Sequence, residues 1–385
     1  MRVRQIDKTN FSSCFFFILK HMTKPKVLFI GDLNTQLPEY KDFSSRFDCV
    51  KYEVPSTKEE LISDFKNKFQ DVSAIYGAWL GFGLLGGFKD EIVAAAPPSL
   101  KVVSVCSVGY NHYNGEQMAE RGIALTNVPS DSAADPVADL VLYNTLAAFR
   151  NFKMASENFA GDVKHSVQAR CMADSNEFDL KTGSVLLKPR NGYSFGEQIG
   201  GRPCLNPKNH NVVIVGFGNI GQTIARRLSS IGMHIHYVKR RRLSESEEAD
   251  LGFPVTYHAT VSDAKEVADL VVIACPGTPE TYHLIDGSVI SSFAKPIRII
   301  NIGRGSVIDE QALVDGLKSG KVLFAGLDVF ENEPNVHPEL FGRQDVVLTP
   351  HIGASTVENF DYTAIYAMKN IEDILGGGPG LSRVN

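Results

Sequence analysis

Short runs rich in Val, Ile and Leu recur along the chain, separated by stretches whose apolar positions follow helical spacing. One set of runs covers residues 27–30, 74–76, 102–105 and 124–127; a second covers 212–215, 234–238, 270–274, 297–301, 323–328 and 346–348. Strands that are apolar on both faces belong to parallel sheets covered by helices on both sides. The alternation therefore predicts an α/β fold built from two doubly wound units. Between the sets, an apolar stretch ending near Phe149 reads as a helix, capped by Ser132 or Asp135, with Pro136 in its first turn. The pattern then breaks down. Residues 155–205 hold mixed polar residues, several glycines and no period, which fits a surface excursion, a disordered insert or sequence foreign to the fold.

The start of the chain is read separately. Residues 11–19 form a short apolar run after Arg2, Arg4 and Lys8, in the manner of a signal peptide, but Lys20 and His21 stand where small cleavage-site residues belong. A mitochondrial presequence, or a true start at Met22, are the other readings. Residues 1–21 are expected to lie outside the fold.

Composition narrows the function. The chain has 385 residues, too many for one typical core, with 43% hydrophobic and 22% charged residues, as in ordinary soluble proteins. A net charge of -5 argues against nucleic acid as a partner. No apolar run is long enough for a membrane span. The 6 cysteines form no CxxC pair, so no metal is expected and free thiols in a reducing compartment are. That favours a cytoplasmic protein, or a mitochondrial one if residues 1–21 are a presequence.

The run 212–215 leads into Gly216-Phe217-Gly218-Asn219-Ile220-Gly221, the G-x-G-x-x-G of a dinucleotide site. Gly216 allows the tight turn, Gly218 lets a pyrophosphate approach, and Gly221 lets helix and strand pack closely. The following helix start offers N–H groups to phosphate. An acid at the end of the next strand would accept from the ribose 2′-OH of NAD. Instead Lys239, Arg240, Arg241 and Arg242 follow Val238. This cluster suits a 2′-phosphate, so NADPH is expected as the cofactor, with NADH possible. Arg240 is the first choice, Lys239 and Arg241 next; solvated loop cations are the bland alternative.

Three polar islands follow three presumed strands: residues 301–309 with Arg304, 325–334 with Asp328 and Glu333, and 348–353 with His351. Ligands of such folds bind beyond the carboxyl ends of strands. Hydride transfer to a 2-oxo acid puts charge on the ketone oxygen, and an imidazole can supply the proton near neutral pH. A neighbouring carboxylate keeps that donor loaded. A fixed guanidinium holds the substrate carboxylate or polarises the ketone. Taken alone, each residue also has an ordinary reading: a core histidine, a surface ion pair, a solvated acid.

Residues 216–221, 301–309, 326–334 and 349–353, in this order, resemble the D-isomer-specific 2-hydroxyacid dehydrogenases, and most closely their glyoxylate and hydroxypyruvate reductases. The resemblance implies a Rossmann cofactor domain at 132–351 and a flavodoxin-like substrate domain from 22–131 and 352–385. It implies Arg304, Glu333 and His351 as the catalytic set, with Arg304 and His351 also holding substrate. Position directly before Pro334 selects Glu333 over Glu331. Asp328 would contact the nicotinamide carboxamide. Cys275, Pro276, Thr281 and Ile302 would border the cofactor, though loop capping also explains Thr281. Val108 and Gly109 would lie in the loop that takes the substrate carboxylate. Asn111 and Asn114 stand where the family usually has an Asp, so no acid role is carried over. Trp79, Leu80 and Phe82 would wall a pocket or pack as core. The implied partners are a small 2-oxo acid and a second copy of the chain in a homodimer. A corepressor-like binding module that senses dinucleotide is the alternative function, distinguished by the absence of turnover.

Overall fold

The computed structural model describes residues 24–77, 81–159, 164–174, 177–188 and 192–385. The expected extension 1–21 lies outside the described residues, as do Trp79 and Leu80. The chain divides into two compact units, one formed by residues up to Pro129 with Val357–Asn385, the other by Ser130–Thr356.

In the first unit, β1 (Lys26–Ile30), β2 (Asp48–Tyr52), β3 (Val72–Gly77), β4 (Val102–Val105) and β5 (Ala124–Thr126) form a sheet of order β2-β1-β3-β4-β5. All neighbours are parallel, the arrangement of flavodoxin-like sheets. Side chains of β1 alternate between two cores. Val27 and Phe29 pack with Ala367, Met368 and Ile371 of the helix Val357–Leu375. Leu28 and Ile30 pack with Leu61 and Phe65 of the helix Lys58–Asn67. Both faces are thus covered, which is why the strand is apolar throughout.

The second unit opens with the helix Asp131–Arg150, whose cap position is Ser130. It begins earlier than the sequence suggests, and Pro136 stands inside it rather than in its first turn. Proline forfeits one backbone bond there. Ala138 and Val141 hold that part of the helix against Ile224 and Leu228, so packing outweighs the local signal. After four two-residue strands, β6 (Phe178–Asp179), β7 (Ser184–Val185), β8 (Gln198–Ile199) and β9 (Arg202–Pro203), comes the main sheet. Its strands are β10 (Asn211–Val215), β11 (His234–Val238), β12 (Val255–His258), β13 (Leu270–Ile273), β14 (Ile297–Asn301), β15 (Val322–Leu327) and β16 (Val346–Leu348). They run in the order β12-β11-β10-β13-β14-β15-β16, all parallel. The direction of winding reverses between β10 and β13, the point at which such sheets bind ligands.

β2 and β12, which no apolar run marks, are edge strands with half-exposed residues. Over its described residues the aperiodic segment is folded. The helices Phe152–Asn158 and Ser166–Ala173 precede antiparallel pairs β6–β7 and β8–β9, and Met154, Ala173, Val185 and Ile199 form a small core. Buried charges fasten it to the rest of the unit. Arg343 donates from Nε and Nη2 to the two oxygens of Asp345 (2.9 and 3.0 Å), and to the carbonyls of Lys181 (3.1 Å) and Leu180 (3.2 Å). Arg202 donates to the Leu323 carbonyl (2.7 Å) and lies over the Phe178 ring. Burial raises the Asp345 carboxyl and the two arginines oppose it. Among the described residues, no helix is long and apolar enough to cross a membrane.

Candidate active site

Arg304, Glu333 and His351 follow three adjacent strands, β14, β15 and β16. His351 Nδ1 lies 3.2 Å from Glu333 Oε2, while Glu333 Oε1 accepts the Phe330 N–H at 3.0 Å. Burial would raise the Glu333 carboxyl. The hydrogen bond to His351, the Phe330 N–H and the charges of His351 and Arg304 outweigh it and hold the group below the usual carboxylate range. Burial lowers the Arg304 guanidinium, opposed by Glu333. Asn301, at the end of β14, sets the arginine turn. Its buried side chain accepts the Gly303 N–H (3.0 Å) and donates to the Arg304 carbonyl (2.9 Å), and Arg304 Nη1 donates to the Gly303 carbonyl (2.7 Å).

His351 has a φ of 56°, in the left-handed region that a non-glycine residue enters only under constraint. The constraint is Asp328. Its Oδ1 accepts Thr349 Oγ1 (2.7 Å) and Ile352 N–H (2.9 Å), and its Oδ2 accepts Gly353 N–H (2.8 Å). The structure thus gives this buried carboxylate to the histidine turn.

The dinucleotide loop sits at the reversal between β10 and β13. Gly216 has a φ of 96°, and a Cβ there would meet the Ala274–Cys275 backbone. A Cβ at Gly221 would overlap the Gly216 carbonyl, so helix and loop touch directly. At Gly218, before the helix Asn219–Ser230, a Cβ would meet nothing within 4 Å. This open approach to a helix start fits a dinucleotide phosphate. The Asn219 side chain is already used, donating to Ser130 Oγ (3.3 Å) and Asp131 (3.1 Å); Ile220 and Ile302 pack on the core. Cys275 is buried, and its thiol is pushed up to about 11 by that burial. Thr281 Oγ1 donates to the Pro276 carbonyl (2.7 Å) and accepts the Thr278 N–H (2.8 Å), the capping arrangement.

Of the basic cluster, Arg242 pairs with Glu248 (3.1 Å) and Arg241 lies 3.6 Å from Glu247, both acids of the next helix. Arg240 and Lys239 have no acidic partner within 4.0 Å among the described residues. In the first unit, Val108 and Gly109 lie in the loop after β4. Their carbonyls accept from Asn127 Nδ2 (2.9 Å) and Ser107 Oγ (2.7 Å). Phe82 is buried in the core of that unit. The supporting roles of Asn301 and Asp328 escaped sequence reasoning, although both stand at strand ends within the polar islands.

A family model described as D-isomer specific 2-hydroxyacid dehydrogenase, NAD binding domain, matches residues 195–353. A putative 2-hydroxyacid dehydrogenase of Saccharomyces cerevisiae is 31% identical, over 94% of this chain and 96% of its own length. A glyoxylate reductase of Pyrococcus horikoshii is 36% identical, over 73% and 75%. The structure of Rhodotorula graminis D-mandelate dehydrogenase superimposes with a TM-score of 0.79 at 28% identity, covering 94% of this chain and 98% of that one. With its two parallel sheets and its dinucleotide loop, the chain belongs to the D-isomer-specific 2-hydroxyacid dehydrogenase family and is an NAD(P)-dependent oxidoreductase of that kind.

Proposed function

We propose that the protein reduces a small 2-oxo acid, glyoxylate or hydroxypyruvate, to the 2-hydroxy acid with NADPH. The observation that carries this reading is the pairing of His351 Nδ1 with Glu333 at 3.2 Å, on a strand end adjacent to that of Arg304. The nicotinamide, when bound, supplies the hydride that reaches C2. His351 gives the Nε2 proton to the ketone oxygen, and Glu333 on the opposite nitrogen stabilises the imidazolium and fixes the tautomer. Arg304 holds the substrate carboxylate through its planar fork. Asp328 keeps the histidine turn in place. Gly216, Gly218 and Gly221 admit the pyrophosphate.

The preference for NADPH rests on Lys239 and Arg240, which have no carboxylate within 4.0 Å among the described residues, though Glu247 and Glu280 feel their charges at longer range, while Arg241 and Arg242 lie against Glu247 and Glu248. The choice of a small substrate rests on the relative named glyoxylate reductase. Exposed Tyr143, Phe152, Tyr193 and Phe195 supply apolar surface for a homodimer.

Initial rates with NADPH and NADH, each against glyoxylate, hydroxypyruvate and phenylglyoxylate, test the proposal. Turnover of the two small acids with NADPH preferred is expected. Preference for phenylglyoxylate would overturn the substrate assignment, and preference for NADH the 2′-phosphate assignment. No turnover by folded protein that binds dinucleotide would favour a binding module instead.

A further inference from the structure

The loop that carries Glu333 carries a second glutamate, and it too meets a histidine. Glu331 Oε1 lies 2.6 Å from His283 Nε2. Its Oε2 accepts the Glu310 N–H at 3.1 Å, and Glu310 Oε1 in return accepts the Glu331 N–H at 2.9 Å. Glu310 opens the helix Glu310–Ser319 and is buried. His283 is tied by its backbone to the turn after Arg304. Its N–H donates to the Ser306 carbonyl (2.9 Å), and the N–H of Ile285 donates to that of Val307 (3.0 Å). At Gly305 the two segments touch: a Cβ there would overlap the Phe330 carbonyl.

We propose that Glu331 is a positioning residue for the reaction, clamping the Glu333 loop to the Arg304 turn through His283 and Glu310. The proposal rests on the catalytic reading above. The clamp fixes the backbone of Phe330 and Glu331, and the Phe330 N–H is what aims Glu333 at His351. Without it, the carboxylate would be free to swing within its half-exposed surroundings. The ionisable groups facing the clamp are few. His283 stacks on Tyr282 and lies near Asp286, and Glu310 lies near His337. Burial raises the Glu310 carboxyl, partly offset by the Glu331 N–H.

The test is steady-state kinetics on the full chain, with NADPH affinity read by fluorescence. In Glu331→Gln, kcat should fall about tenfold while cofactor affinity stays within about twofold, since misplacing a catalytic group acts on the chemical step. Substrate KM should move less than kcat, because the loss falls on the aim of Glu333 at His351 rather than on Arg304. A wild-type kcat in Glu331→Gln, or a substrate KM that rises as far as kcat falls, would overturn the proposal, whatever happens to Tm. If that variant does not fold, His283→Ala decides by the same two readouts, with the same split expected and wild-type kinetics overturning. Wild-type protein that turns over no 2-oxo acid would defeat the catalytic reading instead. The clamp is then read by nitrogen NMR of the His351 ring: shifts that move in Glu331→Gln support it, and unmoved shifts overturn it.

Discussion

The Glu333–His351 and Glu331–His283 pairs come from one loop and differ in what surrounds them. The first is longer, at 3.2 Å, with side chains 39% and 35% exposed. The second is 2.6 Å, at 18% and 28%. Glu333 takes a single backbone N–H and feels the charge of Arg304. Glu331 also takes one backbone N–H, from Glu310, but returns its own N–H to the Glu310 carboxylate. An acid–imidazole pair that must pass a proton to a substrate keeps an accessible face. One that holds a loop is less exposed and is tied to a second acid in both directions. Spacing along the chain does not separate the two cases; the neighbours do.

Replacing the two histidines should give the sharpest contrast. His351→Ala should lower kcat about a thousandfold, the scale of a lost general acid, while NADPH binding stays near wild type. His283→Ala should fall far short of that, and equal losses in stopped-flow assays would erase the distinction. Glu333→Gln comes next, with kcat down about thirtyfold for a lost acid–base partner. Its pH behaviour follows from sign. The Glu333 carboxyl is depressed in the folded protein, so its contribution to stability is present above the unfolded carboxyl's range and lost as pH falls through the folded one. The variant should lack that acid-side loss in thermal melts. A wild-type kcat would remove Glu333 from the mechanism. The smallest effect is expected from Arg240→Gln, which touches neither pair. It should raise KM for NADPH about tenfold, the worth of one charge-assisted bond of roughly 1.4 kcal/mol. KM for NADH should not change; a parallel rise in both would assign Arg240 to general loop structure.

The buried interior of the fold was legible in the sequence, because strands such as β10 and β13 are apolar on both faces. The edge strands β2 and β12 were not, since one exposed edge permits the polar residues of Asp48–Tyr52 and Val255–His258. The helix Asp131–Arg150 begins earlier than expected because Pro136 suits a first turn in isolation, whereas packing against Ile224 and Leu228 is invisible locally. At the site, Arg304 and His351 stand out at strand ends. The tasks of Glu331 and Asp328 depend on partners far along the chain, His283 for Glu331 and Gly353 for Asp328. Hydrogen bonds of that range leave no periodic trace.

Asp345 stands directly before β16, the strand that delivers Thr349 and His351, and it is wholly buried between Arg343 and Arg202. Arg202 belongs to the irregular segment, and Arg343 grips that segment's carbonyls. An engineer trimming residues 155–205 as an apparent appendage would remove Arg202 and the two carbonyls that hold Arg343, leaving a buried guanidinium with unmet donors beside Asp345 at the root of the strand that leads to His351. For inheritance as for engineering, that stretch is no neutral ground for insertions: its variation is answerable to the histidine.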